Sequence, residues 1–281
     1  MNIIETRNLS YSYDDKNLAL KDVNISIKKD SVTAILGGNG SGKSTLFLNL
    51  NGVLNPTKGE VYFKDELIKY KSKIIQQLRK KVGIVFQDPN DQLFSADVLS
   101  DISFGPLNLG MSDKEVAKEV EKVILQTGIQ EYVNRPTHAL SFGQKKRVAI
   151  AGVLAMKPEV IILDEPTAGL DPAGVSEILR LLIKLKEETK LTIVISTHDI
   201  DIVPLYCDYA YVLDHGQVLI SGTSEELLTQ VVELRNCNLR LPRISHLMEI
   251  LRKEDHLNID ECAATISTAR KSILKLLHNN S

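Results

Sequence analysis

A glycine-rich stretch between two apolar segments constrains the fold of this chain more than any other feature. Residues 37–45 read GGNGSGKST; the apolar run 32–36 precedes them, and the helix-like segment 46–50 follows. The order strand, glycine loop, helix is the context in which the pattern G-x-x-x-x-G-K-[ST] binds phosphate. A glycine turn without function is the alternative, and the agreement at every fixed position disfavours it. We therefore predict a phosphate-binding loop.

The polar residues of this loop have predicted roles. Backbone N–H groups would point at an anion, and the following helix would add the positive end of its dipole. Lys43 would reach the β- and γ-phosphates, and the Ser44 hydroxyl would ligate Mg²⁺. The candidate nucleotide-binding residues of the stretch are Gly37, Gly38, Asn39, Gly40, Ser41, Gly42, Lys43, Ser44 and Thr45.

Two further apolar runs end in polar residues that suit the same site. Residues 160–163 end in Asp164 and Glu165, and residues 191–195 lead to His198. Continuous apolar strands with acids at their carboxyl ends indicate a parallel α/β sheet with its site at that edge. Asp164 would hold Mg²⁺, and Glu165 would polarise an attacking water. A lone histidine at a strand end is more often structural, but the shared edge favours a function for His198.

The N-terminal segment predicts antiparallel strands within residues 3–28, with a turn at 14–17. Tyr11 and Tyr13 are two positions apart, so we expect them on one face of a strand. Tyr13 could stack on adenine or form an ordinary cross-strand pair. The residues alone leave both roles open.

Helices are predicted after the strand at 82–86 and the loop at 88–92. Residues 96–157 are helical in pattern, and Ser112 with Glu115 has capping-box spacing. Ser141 is expected to cap another helix and to offer its N-terminus to an anion. Thr223 and Glu226 open a helical tail, which should pack on the main domain or on another copy because it is too small to bury much core alone.

Composition excludes several classes of function. The net charge of −2 over 281 residues does not favour nucleic-acid binding. The apolar run 148–156 is too short to span a bilayer, and the N-terminus has no signal-peptide layout, so we expect a cytoplasmic chain that meets the membrane through a partner. Cys207, Cys237 and Cys262 are read as reduced thiols, and the six histidines form no ligand pattern.

Six motifs, in this order, resemble those of the ATP-binding cassette of ABC transporters. They are residues 37–45, Gln87, residues 140–144, residues 160–165, residues 168–171 and His198. The resemblance implies an α/β fold: a P-loop NTPase (RecA-like) core with an antiparallel β subdomain and an α-helical signature subdomain at roughly 88–157. The cassette would cover residues 1–222. A small C-terminal helical extension at 223–281 would contribute to dimer contacts.

The same resemblance implies ATP and Mg²⁺ as cofactors and a composite site. Two cassettes would pair head to tail, with each ATP between the phosphate loop of one chain and Ser141, Gly143 and Gln144 of the other. The resemblance makes Glu165 the catalytic base and lets His198 hold the γ-phosphate and the water. The remaining implied roles are Mg²⁺ sensing and ligation by Gln87, dimer bridging by Asp171 and adenine stacking by Tyr13.

Two positions depart from the usual cassette pattern. Phe142 stands where most cassettes have glycine, and Gly38 replaces the usual proline or similar residue. The residues expected to face ATP, Ser141, Gly143 and Gln144, are retained, so we expect an active enzyme.

Further similarities point to one group within the ABC transporters. Residues 86–94 and 103–110 are similar to energy-coupling factor ATPases, and residues 140–156, 199–208 and 239–243 resemble their cobalt-type branch. This implies a homodimeric ATPase, peripheral on the cytoplasmic face of the cell membrane. It would drive cobalt or nickel import through a transmembrane coupling subunit and a substrate-binding membrane subunit. Vitamin import, a soluble cassette protein acting on ribosomes or DNA, and a module that no longer hydrolyses ATP are the alternatives.

Overall fold

Ten strands form two sheets in the computed structural model, which describes residues 1–14, 16–237, 239–259 and 263–279. Cys262 lies outside these residues. The strands are β1 (Asn2–Ser12), β2 (Leu18–Lys28), β3 (Val32–Leu36), β4 (Lys58–Phe63), β5 (Glu66–Leu67), β6 (Val82–Val85), β7 (Val160–Leu163), β8 (Thr192–Thr197), β9 (Tyr209–Asp214) and β10 (Gln217–Gly222).

The larger sheet has the order β10-β9-β3-β8-β7-β6. All its pairs are parallel except the hairpin of β9 and β10. The register pairs Leu36 with Thr197 and Leu163 with Ile195. The carboxyl ends of β3, β7 and β8 therefore meet at one edge, where a ligand site of an α/β sheet is expected.

Helices cover both faces of this sheet. In chain order, the α-helices of the described residues are α1 (Lys43–Leu50), α2 (Ser72–Lys81), α3 (Val98–Asn108), α4 (Asp113–Thr127), α5 (Phe142–Leu154), α6 (Pro172–Thr189), α7 (Val203–Tyr206), α8 (Ser224–Thr229), α9 (Val231–Asn236), α10 (Arg243–Lys253) and α11 (Ile266–Asn279). The predicted capping boxes at Ser112 and Thr223 and the predicted cap at Ser141 are confirmed. The cap at Ser141 is also a capping box, since the Gln144 side chain bonds back to it.

The alternation of strand side chains divides the core into two layers. Ile35 and Val194 pack with α1 and the smaller sheet, whereas Leu36 and Ile195 pack with α5 and α6. Because both faces are covered, the central strands are buried along their whole length, as the continuous apolar runs predict. The predicted α/β fold is confirmed.

The smaller sheet is antiparallel, with the order β2-β1-β4-β5. The expectation that Tyr11 and Tyr13 share a strand is wrong, because β1 ends at Ser12. There the Asp14 carboxylate accepts the backbone N–H groups of Asn17 and Lys16, which starts the turn. These bonds, with the backbone bond from Asn17 first, lower the pKa of Asp14 to about 2. The two tyrosine rings still meet edge-on, with centroids 4.9 Å apart.

The C-terminal helices pack on the rest of the chain and on each other. Leu234 and Leu241 belong to the main core, and the backbone N–H of Arg243 donates to Asp201 Oδ1 at 2.7 Å. Met248 and Ala269 belong to a small separate core within the tail. The tail was expected to pack on the main domain or on another copy, and the structure shows it packed on the main domain. The boundary between the cassette and the tail at residue 222 stays a prediction.

No helix within the described ranges combines the length and the hydropathy needed to cross a membrane.

Phe47 on α1 lies fully buried beneath the phosphate loop, in the core layer shared with the smaller sheet. We expect Phe47→Ala to lower the free energy of unfolding by about 3–5 kcal/mol, because it leaves a cavity that the neighbours fill only partly. Urea unfolding followed by circular dichroism measures the change. Phe94→Ala is the matched control: Phe94 is 66% exposed, so its loss should cost about 1 kcal/mol or less. Equal losses would contradict this assignment of the core.

Candidate nucleotide-binding and catalytic site

The loop between β3 and α1 has the backbone geometry of an anion cradle. Gly42 has a φ of 106°, and a Cβ there would lie 2.8 Å from the carbonyl oxygen of Ala19, so this position requires glycine. The Ser41 hydroxyl is buried and has no hydrogen-bond partner among the described residues. An unpartnered polar atom inside a curled loop fits a phosphate ligand.

Lys43 places its ammonium at the centre of this loop. Its Nζ donates to the carbonyl oxygens of Gly37 at 2.8 Å and Gly38 at 3.0 Å, and lies 3.6 Å from Glu165 Oε1. The side chain is buried, so its charge is little screened by water. A buried cation beside open backbone donors is suited to bind the outer phosphates of a nucleotide.

The two acids after β7 are held by serines from neighbouring elements. Ser44 Oγ donates to Asp164 Oδ2, and Ser196 Oγ to Asp164 Oδ1, both at 2.5 Å. Ser196 Oγ also accepts the backbone N–H of Glu165 at 2.7 Å. The hydroxyl and carboxylate oxygens of Ser44 and Asp164 fit Mg²⁺, which prefers hard oxygen ligands.

Glu165 and His198 form a contact at the mouth of the site. His198 Nδ1 lies 2.9 Å from Glu165 Oε2, while the other carboxylate oxygen faces Lys43. The Glu165 side chain is buried and that of His198 is mostly exposed. A carboxylate held between a lysine and a histidine can accept a proton from a water bound beside it.

A cavity of about 290 Å³ joins most of these groups. Its lining includes residues 39–45, Gln87, Asp164 and Glu165. Tyr13 lies beside it, with Oη 3.1 Å from Thr45 Oγ1, and the residue is 63% exposed. The exposed ring leaves a face for a base to stack on.

The signature residues line a different cavity. This cavity has a volume of about 400 Å³ and is lined by Ser141, Gly143, Gln144 and Asp171, among others. Among the described residues, none lines both this cavity and the phosphate-loop cavity. Ser141 and Gln144 are bonded to each other as the cap of α5, and Asp171 accepts the backbone N–H of Gly174 as the cap of α6. One copy of the chain therefore places the phosphate loop and the signature residues around two separate cavities.

Ser196 and Lys146 are the polar residues of the site that the sequence patterns did not single out. Ser196 was foreseeable, since the parallel register that pairs Leu163 with Ile195 puts it beside Asp164. Lys146 falls on the buried stripe of α5 with Ala149, Ile150 and Val153, and a lysine at such a position signals a specific partner. Burial lowers the pKa of Lys146 to about 8, although the Glu165 carboxylate raises it in part.

Among the described residues, the cysteines and histidines form no comparable site. Cys207 and Cys237 are free thiols, and burial raises the pKa of Cys207 to about 12, which keeps it protonated and unreactive. No group of three or more His, Cys, Asp or Glu side chains is placed to hold a metal ion in the parts of the chain that the structure describes.

Comparisons with known proteins agree with this geometry. A family model described as ABC transporter matches residues 20–168. The energy-coupling factor transporter ATP-binding protein EcfA2 of Clostridium perfringens is 54% identical over 96% of this chain and 95% of its own length. The solved structure of cbiO1 from Clostridium perfringens, described as part of the ABC transporter complex cbiONQ, is 55% identical, with a TM-score of 0.78 over 89% of this chain and 99% of that one. A dimeric ATP-binding cassette in a post-hydrolysis state with ADP and Pi is 31% identical, with a TM-score of 0.70 over 78% of this chain and 98% of that one.

Replacing Ser196 tests how the two acids are held. Ser196→Ala should lower the free energy of unfolding by about 1–3 kcal/mol, because it leaves a buried N–H and a buried carboxylate oxygen without their partner. Urea unfolding measures it, with Ser176→Ala as control, since Ser176 bonds only to a carbonyl at the exposed start of α6. An unchanged stability in both variants would show that the bonds to Ser196 do not hold the acids.

Proposed function

This chain belongs to the ABC transporter family, as the ATP-hydrolysing component of an energy-coupling factor importer, and we propose that the importer takes up cobalt or nickel ions. The observation that carries the metal proposal is the similarity of residues 140–156 and 199–208 to the cobalt-type branch. The 55% identity to cbiO1 of the cbiONQ complex supports it.

The phosphate-loop cavity is the proposed ATP site. Lys43 would exchange its carbonyl partners for the β- and γ-phosphates, while the loop N–H groups and the Ser41 hydroxyl bind phosphate oxygens. Ser44, Asp164 and Gln87 would hold Mg²⁺, which neutralises phosphate charge. Tyr13 would stack on adenine, since its ring is exposed beside Thr45.

Glu165 is the proposed catalytic base. Its carboxylate would take the proton of a water whose oxygen attacks the γ-phosphorus, while the bond from that phosphorus to ADP breaks. His198 contacts the carboxylate and would hold the water and the γ-phosphate in line. The products are ADP and phosphate.

Two half-sites on one chain support a head-to-tail dimer. Ser141, Gly143 and Gln144 of one copy would complete the phosphate shell around ATP on the other copy, and Asp171 would lie at the junction. The N-terminus of α5 suits that role because it offers backbone N–H groups and a positive dipole to an anion. One type of chain carries both halves, so a homodimer would have two complete sites.

The membrane partners follow from the family resemblance. We propose a transmembrane coupling subunit and a substrate-binding membrane subunit, with this chain peripheral on the cytoplasmic face. The loop after Gln87 would report the nucleotide state to the coupling subunit. Nucleic acid is not a proposed partner.

Vitamin import is the second candidate. Relatives as similar as 54% are described as energy-coupling factor transporter ATP-binding proteins without a named substrate. The arrangement of Lys43, Glu165 and His198 weighs against a module that no longer hydrolyses ATP.

Cellular uptake of cobalt and nickel tests the choice of substrate. Cells that carry the native chain together with the proposed membrane subunits should accumulate one of the two metals, and cells with Glu165→Gln should not. Undiminished metal uptake in the variant, with loss of vitamin uptake, would contradict the metal proposal and favour the second candidate.

Glu165→Gln also tests the base. We expect the steady-state ATPase rate of the assembled complex to fall by about 10²–10⁴-fold, because the amide cannot accept the proton. ATP binding should persist, so the ATP-bound dimer should accumulate in size-exclusion chromatography. Glu187→Gln makes the same chemical change at an exposed position of α6 and should keep the native rate. Rapid hydrolysis by Glu165→Gln would remove this residue from the proposed role.

A further inference from the structure

Lys146 is a buried cation that takes no part in the proposed ATP binding, Mg²⁺ binding, catalysis or dimer contact. Its side chain is only 2% exposed, and its Nζ donates to the backbone carbonyl oxygen of Glu165 at 2.9 Å. Burial of an ammonium group is costly unless specific partners compensate it. Its position on α5 therefore needs an explanation beyond packing.

Glu165, which accepts this bond, has an unusual backbone. Its φ is 44°, in the left-handed region that residues with side chains rarely adopt. Such conformations persist where the surroundings hold them in place. Here the N–H of Glu165 donates to Ser196, and its carbonyl oxygen accepts from the Ala168 N–H at 3.0 Å and from Lys146.

We propose that Lys146 is a positioning residue for Glu165. The orientation of the Glu165 peptide decides where the side chain leaves the backbone, and hence whether the carboxylate faces His198 and the water-binding space. The bond that Lys146 donates to that carbonyl is charge-assisted and is therefore stronger than the bond from the Ala168 N–H. This inference rests on the proposed role of Glu165 as the base.

The Phe142 ring lies between the lysine ammonium group and Gly169. The Nζ lies 5.5 Å from the centroid of the Phe142 ring, within cation–π range. A Cβ at Gly169 would lie 2.9 Å from that ring, so the ring packs directly on the backbone after Glu165. Phe142, which replaces the glycine of most cassettes, therefore covers the bond between Lys146 and Glu165. The neutral amine also carries N–H donors, so the bond persists in weaker form when Lys146 loses its proton.

This bond links groups that would serve different nucleotides. Ser141 caps α5 and Gly143 lies in its first turn, and both would contact ATP on the partner copy, whereas Glu165 would act on ATP bound by its own chain. A shift of α5 on closure of one site would thus move the Lys146 donor at the other.

Lys146→Met tests the proposal by separating kcat from KM. The variant keeps the apolar stem and removes the donor, so kcat should fall by about 10- to 100-fold through misplacement of the base. The KM and Kd for ATP should stay native, because Lys146 does not touch the phosphate-loop cavity. Lys184→Met is the matched control; this exposed lysine of α6 lies 3.8 Å from Glu188, and native kcat is expected. Lys146→Arg, which keeps a donor, should recover part of the rate.

A double variant distinguishes a loss of rate through misplacement of Glu165 from a loss through general disturbance of the structure. Adding Lys146→Met to Glu165→Gln should cause no further loss of rate, since the group that Lys146 positions is already absent. Additive losses, or a native kcat for Lys146→Met, would overturn the inference while leaving the ATPase function intact. Failure of the native complex to hydrolyse ATP would instead overturn the proposed function. If Lys146→Met does not fold, Lys146→Gln, whose amide is too short to reach the carbonyl, gives the same comparison.

Discussion

The parallel register of β3, β7 and β8 is the constraint on which the candidate site depends. It brings the phosphate loop, the two acids and His198 to one edge of a buried sheet, although they are separated by more than half of the sequence. Ser44 and Ser196 then bond to Asp164 from opposite sides. A change of register by one residue would turn Ser196 away from both acids.

Two charges of the site are buried and pair with one another. The buried pair is Lys43 and Glu165, 3.6 Å apart, whereas His198, 2.9 Å from Glu165, is mostly exposed. The signature half-site lies on the same chain around a separate cavity. Because the charged groups and the signature residues surround separate cavities, each nucleotide would need the charged groups of one chain and the helix N-terminal donors of a second copy.

Much of the fold and of the site was predictable from local patterns. Glycine spacing, apolar runs ending in acids, and helix caps at Ser112, Ser141 and Thr223 all have short-range causes. Tyr13 was misplaced because the Asp14 turn ends the strand one residue earlier. Ser196 and Lys146 were missed because their partners lie on other elements, and only the strand register and the packing of α5 bring them into contact. The separation of the two cavities agrees with the composite site that the motif resemblance implies.

Complementation between two inactive variants tests the composite site most directly. Lys43→Ala would disable the phosphate loop and Ser141→Arg the signature, so each should be inactive as a homodimer. When the two are mixed, half of the random dimers would carry one intact site made of both chains, which predicts a recovery of about one quarter of the native ATPase rate. Recovery of that size would support head-to-tail pairing. An inactive mixture, with mixed dimers demonstrated by differential tagging, would contradict it.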